Sequence, residues 1–97
     1  MEAENELVVF ADSRLKDDLV KEMQSSNVKI NRTSYSMGMP LRVTSEENSR
    51  SFFEIPLRMW KANRDSMRVT FRMRQGRTLE LNDTTIPEIE KLISELH

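Results

Sequence analysis

The chain contains no cysteine. That excludes a disulfide scaffold, a thiolate zinc site, an iron–sulfur cluster and a cysteine nucleophile. A secreted domain of this size ordinarily needs covalent staples, so an intracellular setting, cytoplasm or nucleus, is expected. Histidine occurs once, as the final residue His97, which leaves no histidine pair for zinc and no Ser-His-Asp set. The two glycines, Gly38 and Gly76, cannot form a phosphate-cradling loop. No run approaches the roughly 18 apolar residues of a membrane span. The segment from Met1 to Glu6 is acidic, the wrong sign for a targeting peptide.

Little catalytic material remains. Adjacent carboxylates occur at Asp17–Asp18 and Glu46–Glu47. Neighbours in sequence point in different directions, and both pairs fall in polar stretches where solvation accounts for them. The expectation is a non-enzymatic protein with no metal and no cofactor.

Charge, by contrast, is abundant and segregated. Residues 1–24 hold seven acids and three bases, residues 25–77 eleven bases and four acids, and residues 78–97 five acids and one base. Ten of the fifteen bases are arginine. A basic middle between acidic ends has two readings. The ends fold onto the middle and neutralise it, or the middle faces a polyanion.

The 97 residues suit a single domain. Leu7 to Ala11 is a continuous apolar run of strand length, which predicts an inner strand buried on both faces. Leu15, Leu19, Val20 and Met23 then form the apolar stripe of a helix over about 13–25, capped by Asp12 or Ser13. Alternation begins a strand at Val28 to Arg32 and gives a short one at Leu41 to Thr44. Phe53, Ile55, Leu57 and Met59 alternate with Phe52, Glu54, Pro56, Arg58 and Trp60, which predicts an edge strand, or one bent at Pro56.

The clearest strand runs from Met67 to Arg74. It turns at Gln75-Gly76 and returns through Leu79 and Leu81. Thr85-Ile86-Pro87-Glu88 has capping-box spacing and opens a helix over about 86–96. The class is α+β: a mainly antiparallel sheet of four to six strands with an N-terminal amphipathic helix and a C-terminal helix. The expected core holds Val8, Phe10, Leu15, Leu19, Phe53, Ile55, Val69, Phe71, Leu79, Leu81, Ile89 and Leu92.

A candidate surface follows from the alternation. Arg68, Arg72 and Arg74 project from one face of the strongest strand, with Arg77 after the turn. If the 52–60 segment pairs beside it, Arg58, Trp60 and Phe52 join them. Guanidinium groups grip phosphates bidentately and a flat aromatic stacks on a base, so the leading ligand is single-stranded nucleic acid. Outward arginines also guard a strand against edge pairing, and Trp60 would equally cover the core. The other class is an interaction module. It would be a homo-oligomer, or a domain that docks an acidic protein surface or a peptide. Over residues 52–97, strands ending in Leu79-Glu80-Leu81 and the helix of Ile86, Ile89 and Ile93 resemble the sheet-then-helix unit of single-stranded-DNA-binding transcriptional coactivators. The first strand and helix are not part of that pattern.

Overall fold

The structure, a computed structural model, describes residues 4–36 and 38–96. In chain order the elements are β1 (Asn5–Phe10), α1 (Ser13–Ser25), β2 (Arg32–Ser34), β3 (Leu41–Ser45), α2 (Arg50–Ala62), β4 (Arg68–Arg72), β5 (Thr78–Glu80) and α3 (Ile86–Glu95). The fold is α+β, with the strands in a single sheet of order β2-β3-β1-β4-β5 and every neighbouring pair antiparallel. The connections interleave two split β–α–β units. In one, β1 and β2 flank β3; in the other, β3 and β4 flank β1. No helix among the described residues is long and apolar enough to cross a membrane.

Local chemistry sets the helix ends. The Asp12 carboxylate accepts a 2.9 Å hydrogen bond from the Leu15 amide and so caps α1. At the other end Asn27 takes φ 61°, and the Val28 amide reaches back 3.2 Å to the Met23 carbonyl. That is the left-handed exit from a helix that asparagine tolerates better than most side chains.

The segment predicted as a strand over 52–60 is instead the central helix, α2. Its period-2 pattern was coincidental. Phe52, Phe53, Pro56, Leu57 and Trp60 are all buried, and those positions lie on one side of a 3.6-residue helix. The Ser49 hydroxyl caps it, accepting from the Phe52 amide at 3.3 Å. Pro56 sits inside the helix and removes the N–H that would reach the Phe52 carbonyl. The segment compared with a coactivator sheet therefore opens with a helix.

Three other expectations change. The strand expected from Val28 to Arg32 instead lies at Arg32–Ser34. Thr85 precedes α3 without capping it through its side chain. Instead the Asn82 carboxamide oxygen accepts from the Thr84 and Thr85 amides at 2.8 and 3.0 Å, an Asx turn ahead of Pro87. And β1, although an inner strand, is covered on one face only.

The register explains that last point. Leu7 pairs with Val43 and Phe71, and Val9 with Leu41 and Val69, while Leu79 lies opposite Phe71. These residues are buried in one cluster with Leu15, Leu19 and Met23 of α1, Phe52, Phe53 and Trp60 of α2, and Ile89 and Ile93 of α3. All three helices thus cover the same face. The rings of Phe52, Phe53 and Phe71 meet at its centre, with centroids 5.1 to 6.2 Å apart. Val8 and Phe10 have the opposite parity and point to the other face, which no helix covers. Phe10, expected in the core, is 53% exposed. Leu92 is partly buried against the core rather than within it.

Candidate functional site

The uncovered face is built by alternation across the whole sheet. One transverse row runs Arg32, Thr44, Glu6, Arg72, Thr78, from β2 to β5. The next runs Ser34, Arg42, Val8, Thr70, Glu80. Phe10 closes β1 opposite Arg68. The face carries four arginines, two glutamates and one exposed aromatic. Val8 is only 8% exposed although no helix lies above it. Its cross-strand neighbours are Arg42 and Thr70, and arginine stems cover apolar surface while their heads stay in water.

Glu6 occupies the middle of this face. Its two carboxylate oxygens face two guanidinium groups, Arg42 at 3.4 Å and Arg72 at 3.3 Å. Arg68 lies 3.6 Å from Glu80. All four arginines are exposed. Exposed pairs of this kind contribute at most about 1 kcal/mol each, so an incoming anion competes with them on nearly even terms. The Thr44 hydroxyl, opposite Glu6, is a buried oxygen without a hydrogen-bond partner.

Of the residues expected to form the surface, only Arg68 and Arg72 lie on this face. Arg58 sits on α2, in the helical layer, paired with Glu22 of α1. Trp60 is 5% exposed, belongs to the core beneath α2, and is overlaid by the Arg64 guanidinium at 4.6 Å. It offers no stacking surface. Arg77 pairs with Glu88 of α3. The Arg74 guanidinium donates to the Glu46 carbonyl at 2.6 Å, and its amide to the Asn5 side chain at 2.9 Å, which ties the β4–β5 turn to the β3–α2 loop. The cause is the same for Arg58, Trp60 and the buried Phe52: a helix placed them where a strand was expected.

The neutralisation reading of the charge pattern can be followed layer by layer. In the helical layer the acidic ends neutralise the basic middle, through Arg58–Glu22, Lys61–Glu90, Arg64–Asp83 and Arg77–Glu88. On the open face they do so only in part.

Sequence reasoning missed Phe10, Glu6, Arg32 and Arg42. The signal for Phe10 was its parity with Val8 rather than with Leu7 and Val9, visible once one face of β1 is known to be bare. Arg42 stood on an expected strand, but nothing local said that this strand neighbours β1.

Near the C-terminal end of β1, Phe10 and Met39 border one shallow recess above Lys16. Lys16 is 3% exposed, and its ammonium donates to the Met39 carbonyl at 2.8 Å. It also lies 5.9 Å from the Tyr35 ring centre. The Tyr35 hydroxyl donates to Asp17, and that bond, more than the nearby charge, holds the phenol above its usual pKa. The group pins the β2–β3 connection to α1. Among the described residues no three His, Cys, Asp or Glu side chains converge as a metal site would require.

No family model matches the chain, and neither the curated proteins nor the solved structures yield a significant match.

Proposed function

We infer that the chain is a non-catalytic binding module that holds single-stranded nucleic acid on the open face of its sheet. The observation that carries the reading is the one-sided sheet. Three helices pack on one face, leaving the other to Phe10, opposite Arg68, and to Arg32, Arg42 and Arg72 further along the strands. Arginines across several strands suit phosphates, and Phe10 supplies the flat ring on which a base stacks. Open antiparallel sheets with surface aromatics are one established way to hold single strands. The topology alone carries no function, so the reading rests on these side chains. Absence of cysteine, internal histidine and a glycine-rich loop supports the non-catalytic part, and absence of cysteine supports an intracellular setting.

The test is a titration of RNA and single-stranded DNA oligonucleotides at several salt concentrations. Affinity is expected to fall steeply, with a log–log slope near -0.7 per phosphate contacted. Replacing Arg32 and Arg68 with Ala flattens that slope. Phe10→Ala weakens binding by about 1–3 kcal/mol and leaves the slope nearly unchanged. If neither nucleic acid binds at low salt, where the electrostatic contribution is largest, the reading is wrong.

A second reading, an acidic protein surface as partner, draws on one observation. Phe10, 53% exposed, and Met39, 57% exposed, border the same recess, an apolar anchor with Arg68 opposite Phe10 on the neighbouring strand. Such a partner resists competition by nucleic acid. A second copy of the chain would appear as self-association in sedimentation.

A further inference from the structure

A carboxylate at the centre of a face that binds polyanions needs a reason. The Glu6 side chain is 24% exposed, so it can be reached from solvent. Each oxygen is engaged by one arginine, at 3.3 and 3.4 Å, the long end of hydrogen-bond range. An ionised carboxylate has about four acceptor sites, so two remain for a ligand. Arg42 and Arg72 flank it from the two neighbouring strands, with one guanidinium beside each oxygen. A phosphate gains there only by displacing Glu6 from Arg42 and Arg72. A pair of adjacent N–H donors meets a preformed acceptor fork.

Resting on the reading of the open face as a single-strand interface, we propose that Glu6 is its specificity-determining residue and selects guanine. Guanine alone among the common bases has two adjacent donors, N1–H and the N2 amino group, on its Watson–Crick edge. Cytosine, adenine and uracil each offer one donor there, beside acceptors that a carboxylate repels. Single-stranded ligands expose that edge, because the bases are unpaired and splayed. Phe10 shares the face and strand with Glu6, four residues on, or about 13 Å along β1. A neighbouring nucleotide stacks there while guanine sits at Glu6. The phosphates run over Arg32, on the Glu6 row, and Arg68, opposite Phe10.

The experiment compares a uridine oligonucleotide carrying adjacent guanosines with the same oligonucleotide carrying inosine or adenosine. Inosine keeps N1–H and lacks only the amino group. The full chain is expected to bind the guanosine form about tenfold more tightly than the inosine form, the usual size of a bidentate base contact. Glu6→Gln, with one acceptor oxygen and an added donor, is expected to lose that preference while still binding. Equal affinity of the unmodified protein for all three oligonucleotides overturns the assignment and leaves the interface standing. So does a Glu6→Gln variant that binds every oligonucleotide more tightly by the same factor, because Glu6 would then only repel. Failure of all three to bind at low salt removes the interface itself, and this inference with it.

Discussion

At the scale of single residues, exposure decides what each aromatic does. Phe71 is fully buried against Phe52 and Phe53. Phe71→Ala is expected to cost about 3–5 kcal/mol in denaturant unfolding, through lost transfer energy and the cavity left behind. Phe10→Ala removes a ring that is already half in water and is expected to cost far less, about 1 kcal/mol or under. A comparable loss at both positions would contradict the assignment of Phe10 to an open face. Tyr35 is the only tyrosine, so a near-ultraviolet absorbance titration reads it alone. Its pKa is raised above 10.0, chiefly by the hydrogen bond to Asp17. A raised folded-state pKa means that the bond's contribution is present below the unfolded value and is lost as pH climbs through the folded one. Asp17→Asn is expected to shift the titration downward. An unchanged titration would show that the hydroxyl is not held by Asp17.

Among the elements, α2 shows what local pattern reveals and what it hides. Helices α1 and α3 were legible because their apolar positions repeat at three and four residues, with polar residues filling the rest. In 52–60 the same stripe is present, but Phe53, Ile55, Leu57 and Met59 happen also to alternate, and Pro56 is compatible with an edge or bent strand. Burial broke the tie: a helix covers the inner sheet face with Phe52, Phe53 and Leu57 together, while a strand would have sent Phe52 to solvent. The proline is tolerated at a cost. An interior helix proline costs about 3 kcal/mol. Its two extra methylenes return about 1.6 kcal/mol of burial. Pro56→Ala is therefore expected to stabilise the protein by about 1 kcal/mol, read as a higher denaturant midpoint. A lower midpoint would mean that packing of the ring outweighs the lost hydrogen bond. The strand from Met67 was read correctly for the opposite reason, since its alternation is strict and its arginines leave one face only for the core. What no local pattern carries is neighbourhood. That β4 lies beside β1, and β1 beside β3, is set by the crossover helices, so Arg42, Glu6 and Arg72 meet from positions far apart in the chain.

For the whole molecule, the central claim is that the open sheet face, and not the helical layer, is the working surface. Both layers carry arginines. In the helical layer Arg58, Arg64 and Arg77 are paired with acids of the terminal segments, and the groove between α2 and α3 is floored by Leu57 and Ile93 and rimmed by paired charges. Backbone amide chemical-shift mapping with a single-stranded oligonucleotide at low salt separates the two layers directly. The account predicts shifts concentrated on β1 to β4 of the sheet, at Glu6, Val8, Phe10, Arg32, Arg42, Arg68 and Arg72, with α2 and α3 nearly silent. Shifts centred on Arg58 and Lys61, or no shifts at saturating oligonucleotide, would contradict it.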